Sequence, residues 1–570
     1  MKVEKELAYS FIAPNGDPFY EAMLLARGGS AVRTVSLPVD HYMPVDDATS
    51  ELSIGLWGLT DWQDVDPDHR VVLSLNGREL ATEEFDGTVD HPVELALDAN
   101  IVQEGDNALT ITVTGDTGAA WDMVAVDDYS LTYPRAPVAR DGRLTFGMPA
   151  AAALRVEGLP SPDLVVYRKD GGDLTRLTNV QVASKAGAYS ATFAGSNEPA
   201  TYLVSTVGAL LKPASIDAPL ALTDITSGDA ELLIIAHDGL IDGLGGLVAA
   251  REAQGLSVKV VDVAQVYAQF GSEVVDPAAI RNYIVYAVNN LGTASVLLVG
   301  GDCYDYRNYL GTGCVSLIPS LYAKTDAVAD FAPVDPKYAD VDGDGVPDVD
   351  IGRFPASTLQ ELGWMIEKTL AYEGDLGNPS ALFAADQGFG ADSNLFLAQM
   401  DEVLTADKVY LDTLGITEAR DQLLHALNSG GPRYVNFVGH SGPRTWTFKG
   451  LLSDADAAAL ANETPMVVNQ WGCWNTYYVD PTYDTMGHAF TVAGPNGAAA
   501  VMGSTTISYA NTEKALGELL TPRLAAGMSI GAALTAAKQE LAQEHPEMKD
   551  VILGWTILGD PTLKVVPALQ

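Results

Sequence analysis

The sequence predicts a multidomain protein in which a β-rich N-terminal part is followed by an α/β part with parallel sheets. Two observations indicate this architecture. Up to about residue 208, apolar and polar residues alternate in short runs between turn residues, and long helical periodicity is missing. From about residue 228, short continuous apolar runs alternate with helix-like stretches, which is the pattern of strands buried on both faces of a parallel sheet.

The β-rich part is predicted to hold two domains. In residues 1–135, the stretch VVLSLNGREL carries an Asn-Gly turn between two strand-like runs, which is typical of a tight hairpin. We expect this domain to close as a β-sandwich or a jelly roll. Residues 136–208 are predicted to form a smaller β-domain, and residues 209–227 a linker.

Two strands of the α/β part end on reactive side chains. YVNFVGH ends at His440, and MVVNQWGC ends at Cys473. The chemistry of open α/β sheets lies at the carboxyl ends of strands. An imidazole beside a thiol favours the nucleophilic thiolate and can then protonate a leaving amine. Backbone N–H groups after His440 and at Cys473 are candidates for an oxyanion hole, although the residues alone leave open an inert buried cysteine and a surface histidine.

Composition argues against several classes of partner and cofactor. The chain has 33 Lys and Arg against 75 Asp and Glu, so its formal net charge is −42. Such a field repels phosphate backbones and anionic membrane surfaces, and we therefore expect no nucleic-acid or membrane partner. No 18-residue apolar run indicates a membrane helix, and the N-terminal residues lack the apolar region of a signal peptide. Zinc motifs are missing, and no organic cofactor is expected.

The three cysteines are too few and too odd in number for a disulfide framework. One bridge between Cys303 and Cys314 is possible. That bridge would leave Cys473 as a free thiol.

Several stretches together resemble the gingipain-type cysteine peptidases. In chain order they are VLLVGGDCYDYRN, YADVDGDGVPDVDIGRFP, KTLAYE, FVGHSGPRTWTF, VVNQWGCWNTYY and WTILGDPTLKV. The resemblance covers roughly residues 228–570 and implies a caspase-like catalytic domain. It implies a first subdomain at 228–375 and a second, catalytic subdomain at 376–570. It also implies Cys473 as the nucleophile and His440 as the general base and acid.

The chain departs from the family pattern beside both catalytic candidates. The family usually shows His-Gly-Ser or similar, whereas this chain has His440, Ser441 and Gly442. The backbone amide of Ser441, together with that of Cys473, remains the expected oxyanion donor, but the serine side chain can crowd the carbonyl oxygen. Tryptophans on both sides of Cys473 replace smaller residues and narrow the expected cleft.

An acidic loop follows residue 338, and three roles stay open for it. Asp340, Asp342 and Asp344 alternate and are followed by glycine, like the start of a calcium loop, and Asp348 lies close by. The acid expected at the twelfth position is Ile351, so an EF-hand is not expected. The resemblance instead implies that Asp344 selects Arg or Lys before the scissile bond, through a charge-assisted hydrogen bond. The third role is a plain Asp-rich turn.

Two further residues are assigned to the site. Asp335 lies in the region where the resemblance implies a third group that orients the imidazole, although a Cys-His dyad without one is also possible. Trp446, in FVGHSGPRTWTF, is assigned to substrate specificity.

We therefore expect a cysteine endopeptidase that hydrolyses protein or peptide substrates, with Arg or Lys as the candidate residues before the scissile bond, and that holds structural Ca²⁺. We expect it to be secreted or on the surface of a bacterial cell. The alternative is a catalytically inactive protein that keeps the peptidase fold and acts in assembly or on the surface. Its β-domains would bind proteins or glycans, the latter through Trp57, Trp62 and Trp121, although these tryptophans are also typical core residues.

Overall fold

The structure is a computed structural model that describes residues 1–44, 49–98, 100–216, 218–375 and 377–567. The chain divides into two units. The first comprises Met1–Lys5 and Phe19–Pro219, and the second comprises Glu6–Pro18 and Leu220–Gln570. The short segment Glu6–Pro18 thus belongs with the α/β part, which the sequence pattern does not predict.

Strands make up almost all regular structure in the first 206 residues, and all of them except β2 belong wholly to the first unit. They are β1 (Lys2–Glu4), β2 (Ala8–Tyr9), β3 (Phe19–Tyr20), β4 (Ala22–Ala26), β5 (Ala31–Val39), β6 (Ser50–Gly58), β7 (His69–Leu75), β8 (Arg78–Phe85), β9 (Asp90–Leu97), β10 (Gly105–Val113), β11 (Asp122–Thr132), β12 (Arg143–Met148), β13 (Ala153–Leu159), β14 (Leu164–Asp170), β15 (Asp173–Leu177), β16 (Gln181–Lys185), β17 (Ala188–Ala194) and β18 (Ala200–Thr206). This confirms the strand-rich N-terminal region.

Two antiparallel sheets of the first unit share one hydrophobic core. One has the order β1-β11-β6-β9 with β4 also on β11, and the other has the order β5-β10-β7-β8. Leu52 and Ile54 on β6 and Leu73 and Leu75 on β7 are fully buried in the same cluster. Alternate residues of β7 are buried in this core, as are Leu52 and Ile54 of β6, which is why these stretches of the sequence alternate with a period of two.

Residues after about 140 form two smaller antiparallel sheets in the same unit. Their orders are β12-β18-β14-β15 and β13-β17-β16. Val156 and Phe193 from one sheet and Val166 and Val204 from the other meet in a separate core.

The second unit contains the remaining strands and the α-helices. The strands are β19 (Leu232–Ala236), β20 (Val258–Asp262), β21 (Ser295–Val299), β22 (Tyr322–Ala323), β23 (Ala332–Pro333), β24 (Asp350–Phe354), β25 (Ser380–Ala385), β26 (Thr405–Tyr410), β27 (Tyr434–Val438), β28 (Ser441–Gly442), β29 (Thr445–Trp446), β30 (Leu452–Ser453), β31 (Met466–Trp471), β32 (Ala498–Ser504) and β33 (Trp555–Leu558). The helices are α1 (Asp238–Ile241), α2 (Gly245–Ala253), α3 (Val263–Phe270), α4 (Pro277–Leu291), α5 (Leu359–Gly374), α6 (Gly390–Ala398), α7 (Ile416–His425), α8 (Asp454–Ala458), α9 (Met486–Val492), α10 (Ala510–Ala525), α11 (Ile530–Glu544) and α12 (Lys549–Ile552).

One ten-stranded sheet organises the second unit, with the order β20-β19-β21-β24-β33-β32-β31-β27-β25-β26. The sequence predicts parallel sheets, whereas this sheet is mixed. Neighbouring strands are parallel except β32 and β33, because β33 runs antiparallel to β32 and parallel to β24. The C-terminal strand β33 therefore joins the two predicted strand series into one sheet.

Helices cover both faces of this sheet, as the continuous apolar runs predict. On β19, Leu233 and Ile235 pack in a cluster with residues of α3 and α4. Their neighbours Leu232 and Ile234 pack on the opposite face with residues of α2 and α5. Both faces of the strand are buried, so its sequence is apolar without alternation.

Candidate active site

His440 and Cys473 lie at the same edge of the ten-stranded sheet. Strands β27 and β31 are parallel neighbours, and Val438 is paired with Trp471 at their carboxyl ends. His440 and Cys473 each follow two residues beyond this pair. The register alone therefore brings an imidazole and a thiol to adjacent strand ends.

The chains leaving these two strands approach each other closely at Gly472. A Cβ atom at this position would lie 2.4 Å from Ser441 Oγ and 2.5 Å from the carbonyl oxygen of Gly439. No side chain fits there, since the second of these contacts is with backbone. The glycine before Cys473 thus allows the turn that carries Cys473 to lie directly against the loop after His440.

Ser441 ties this loop to the cysteine turn. Its hydroxyl donates a hydrogen bond of 2.8 Å to the carbonyl oxygen of Cys473. The side-chain amide of the fully buried Asn475 donates to Ser441 Oγ at 3.2 Å and to the carbonyl oxygens of Gln470 and Gly472 at 2.9 Å. The serine that departs from the family pattern is therefore used in a network that holds the two loops together.

The imidazole of His440 is exposed and lies between two aromatic rings. The ring of Phe389 meets it edge-on at a centroid distance of 5.2 Å, and the ring of Phe448 stacks on it at 5.4 Å. Among the described residues, no hydrogen bond to the imidazole ring orients it. Aromatic packing is what positions the imidazole in this structure.

The thiol of Cys473 is half-buried and points to a different partner. Its Sγ donates to the carbonyl oxygen of Ser508 at 3.2 Å, and within the described chain no hydrogen bond joins it to His440. Burial raises the pKa of the Cys473 thiol, and the nearby carboxyl of Glu513 raises this pKa further. In this structure the thiol is a hydrogen-bond donor to Ser508, and its raised pKa favours the protonated form.

The other two cysteines form the bridge that the sequence allows. Cys303 and Cys314 are joined by a disulfide, and Cys473 is free.

Asp335 and Trp446 both lie in buried surroundings. Both carboxylate oxygens of Asp335 accept hydrogen bonds from the guanidinium of Arg353, at 2.7 and 2.8 Å. Trp446 is fully buried, stacks on Phe437 at 4.5 Å and donates its indole N–H to Gln470. Asp335 thus forms a buried ion pair with Arg353, and Trp446 packs in the core next to the loop that carries His440.

The acidic loop brings three of its four predicted ligands together. Asp340, Asp342 and Asp348 each place one carboxylate oxygen within 4.8 Å of the others. Asp344 is not part of this group. Its backbone N–H donates to Asp342, and its carboxylate accepts from the N–H of Val346, so its hydrogen bonds stay within the loop.

Two cavities border the site. A narrow one of about 10 Å³ lies beside both strand ends and is lined by Phe389, Asp392, Phe396, Val438, Trp471, Ala510, Glu513 and Lys514. A wider recess of about 530 Å³ is lined by Asp326, Tyr509 and Asp550 among others, and the Tyr509 hydroxyl donates to Asp326 at 2.7 Å. Asp392 forms an ion pair with Lys514 at 2.9 Å at the wall of the narrow cavity.

Several residues of this site are not predicted by the sequence pattern. Phe448 lies within a quoted family stretch, and Asn475 follows Cys473 closely, so both were within reach of local pattern reasoning. Ser508, Glu513 and Phe389 carry no such local signal. They reach the site from the turn after β32, from α10 and from the loop before α6, and only the folded chain brings them there.

Comparison with known proteins shows that the sequence of this chain is similar to the sequences of peptidases. The model of peptidase family C25 matches residues 225–566, and the chain belongs to that family. The resemblance to gingipains is thereby confirmed. No curated protein sequence matches the chain.

Two solved structures are similar in fold. The Arg-specific cysteine proteinase gingipain R (RgpB) is 18% identical with a TM-score of 0.50, over 59% of this chain and 78% of that protein. Dimeric latent PorU from Porphyromonas gingivalis is 16% identical with a TM-score of 0.54, over 99% of this chain but only 52% of PorU. At these identities the similarity concerns the fold.

In the part of the chain that the structure describes, no helix combines the length and the apolar character needed to cross a bilayer.

Proposed function

We propose that the protein is a cysteine endopeptidase in which Cys473 is the nucleophile and His440 is the general base and acid. The observation that carries this proposal is the strand register, which brings both side chains to one sheet edge two residues beyond the pair Val438 and Trp471. Membership of peptidase family C25 supports it.

The reaction proceeds in two displacements. The thiol proton passes to His440, and the sulfur bonds to the carbonyl carbon of the peptide. The C–N bond then breaks, and the imidazolium gives its proton to the leaving amine. Water, deprotonated by His440, displaces the sulfur, which releases the carboxylic acid product and restores the thiol.

Backbone amides of Ser441 and Cys473 stabilise the oxyanion in this proposal. The two residues are held together by the hydrogen bond from Ser441 Oγ to the Cys473 carbonyl oxygen. Such preorganised N–H donors act where negative charge develops in the transition state.

The test is hydrolysis of a mixed peptide library by the wild type, Cys473→Ala and His440→Ala. We expect both variants to lose activity, while His425→Ala, which changes an exposed histidine on α7, keeps it. Equal turnover by the wild type and Cys473→Ala would show that Cys473 is not the nucleophile.

We propose further that cleavage follows Arg or Lys. The net charge of −42 attracts cationic peptides, and carboxylates occur both in the acidic loop, at Asp344, and beside the strand ends, at Asp392. Asp344→Asn and Asp392→Asn should be compared on matched Arg, Lys and citrulline peptides. The variant that loses the preference for a charged side chain, with kcat on citrulline peptides unchanged, identifies the specificity residue.

A second candidate function is a non-enzymatic protein that keeps this fold. One observation favours it: the thiol of Cys473 donates to Ser508, has a raised pKa and is not bonded to His440. Alkylation with iodoacetamide separates the two functions, because Cys473 is the free thiol. Reaction at mildly acidic pH supports the enzyme, and reaction only at alkaline pH, together with no hydrolysis, supports the non-enzymatic protein.

We propose that Asp340, Asp342 and Asp348 hold a structural Ca²⁺ ion. Three converging carboxylate oxygens fit a hard cation that prefers oxygen ligands. When bound, Ca²⁺ would neutralise charge within the loop before β24 and so stabilise it.

We also propose that the catalytic region is caspase-like and that residues 1–135 form a β-sandwich.

We propose that the protein works outside the cytoplasm. The disulfide between Cys303 and Cys314 supports this location, because such bonds persist in oxidising compartments.

A further inference from the structure

A chain of hydrogen bonds connects the Cys473 thiol to a buried carboxyl group on helix α10. Sγ of Cys473 donates to the Ser508 carbonyl oxygen at 3.2 Å, and Ser508 Oγ donates to Oε1 of Glu513 at 2.5 Å. Ser508 and Glu513 are only 7% and 5% exposed. Glu513 is not among the residues that the proposed reaction uses, and its carboxyl lies two hydrogen bonds from the sulfur.

The turn that carries Ser508 also holds the cysteine turn through backbone. The N–H of Trp474 donates to the carbonyl oxygen of Thr506 at 2.9 Å. The position of this turn therefore determines where the Ser508 carbonyl oxygen, the acceptor of the thiol, lies. Glu513 fixes the turn from the first part of α10 through the side chain of Ser508.

We propose that Glu513 is a positioning residue for the nucleophile, which through Ser508 holds the Cys473 thiol in its resting, protonated orientation. This inference rests on the proposed function, in which the sulfur must turn towards His440. It deepens that function by naming the group that opposes this rotation of the Cys473 side chain.

The charge of Glu513 gives this role a pH dependence. Burial raises the pKa of Glu513 to about 8. Below that pH the carboxyl is neutral, whereas above it the carboxylate strengthens its bond with Ser508 and disfavours a thiolate nearby. The result is a thiol that becomes harder to ionise as pH rises through 8.

Other charged or titratable groups face Glu513 from the elements packed around it. Asp550 on α12 raises the pKa of Glu513, and the ion pair of Asp392 on α6 with Lys514 lines the same narrow cavity as Glu513. Tyr509 is the N-cap residue of α10, and Cys473 lies on the turn after β31. Of these, Cys473 is the group that the hydrogen-bond chain reaches.

The experiment measures the rate of Cys473 alkylation by iodoacetamide between pH 6 and 10, in the wild type, Glu513→Gln and Ser508→Ala. Glutamine keeps the shape and the acceptor for Ser508 but carries no charge. We expect Glu513→Gln to match the wild type below pH 7 and to react about three- to tenfold faster above pH 8.5, since one pKa unit of the thiol changes its ionised fraction tenfold. Ser508→Ala should react faster across the whole range, because the turn loses its anchor.

Glu518→Gln is the matched control, since it makes the same change at an exposed position of the same helix. Its profile should overlay that of the wild type. Circular dichroism and Tm at pH 6.5 confirm that each variant is folded. Profiles of Glu513→Gln and Ser508→Ala that both coincide with the wild type at every pH would overturn the proposal.

This readout does not depend on peptidase activity. A shifted alkylation profile without peptide hydrolysis would keep the positioning role and reject the endopeptidase. Hydrolysis with unshifted profiles would keep the endopeptidase and reject the positioning role.

Discussion

The hydroxyl of Ser441 donates a 2.8 Å hydrogen bond to the carbonyl oxygen of Cys473, and so the loop after His440 is joined to the turn that carries Cys473. Ser441 is only 4% exposed, so this bond is shielded from water. The residue that interrupts the family pattern thus has a structural use in this chain.

Replacing Ser441 by alanine should weaken this junction. We expect a loss of about 1 kcal/mol, the usual net value of one buried hydrogen bond, seen as a lower Tm of the second unit. The change should also lower kcat more than it raises KM, because the oxyanion donors are less well fixed. Ser272→Ala, at an exposed position of the same unit, should leave both quantities unchanged.

Gly472 and Gly442 provide a sharper pair of variants in the same two loops. Alanine at Gly472 meets Ser441 Oγ at 2.4 Å and backbone at 2.5 Å, whereas alanine at Gly442 meets no atom within 4 Å. Gly472→Ala should lower the free energy of unfolding by about 1–3 kcal/mol, which is typical of overpacking. It should also abolish hydrolysis. Gly442→Ala should be close to wild type in Tm and kcat, and equal behaviour of the two variants would contradict the close approach.

Asp335→Asn separates a structural from a catalytic role for that residue. Removing one partner of its buried pair with Arg353 should cost about 3–5 kcal/mol, measured as a lower midpoint in urea. Enzyme that remains folded should keep the kcat of the wild type. A normal midpoint with a greatly reduced kcat would instead return Asp335 to the role of orienting His440. Asp330→Asn, which breaks the more exposed pair with Lys324, should change the midpoint little.

The stability of the second unit should depend on Glu513 in a defined direction. Its pKa is raised from 4.5 to about 8 in the folded state, so the folded state binds more protons between these values. Its contribution to stability is complete below pH 4.5 and is lost as pH rises through 8. The Tm of Glu513→Gln minus the Tm of the wild type should therefore be larger at pH 9 than at pH 4.5. A constant difference across this range would contradict the raised pKa.

Calcium should stabilise the protein through the acidic loop. Adding millimolar CaCl₂ to protein treated with a chelator should raise Tm, because an ion that binds only the folded state stabilises it. Asp340→Asn should abolish this increase. Asp344→Asn should retain most of it, since Asp344 is not among the three converging carboxylates. An unchanged wild-type Tm at saturating Ca²⁺ would show that the acidic loop does not bind the ion.

Sequence pattern located the strand ends of this site because strands buried on both faces give continuous apolar runs. Tyr434–Val438 and Met466–Trp471 are both fully buried, and the reactive residues follow directly. The family stretches added the order of the elements. Both signals are local, so they survive in a single sequence.

Long-range features were not accessible in the same way. Ser508 lies 35 residues beyond the thiol that it accepts from, and the Arg353 partner of Asp335 sits on a different element. Strand β33 is four residues long, and its antiparallel direction depends on its neighbours β24 and β32 rather than on its sequence. The mixed sheet, the resting partner of the thiol and the burial of Trp446 all follow from such pairings.

The most direct measurement is to treat the protein with a peptidyl chloromethyl ketone that carries Arg next to the reactive group, and to map the adduct by mass spectrometry. We expect one adduct, on Cys473, which forms much more slowly in His440→Ala than in the wild type. Labelling of Cys473 at the same rate in both proteins, or no labelling under conditions in which iodoacetamide reaches the thiol, would contradict it.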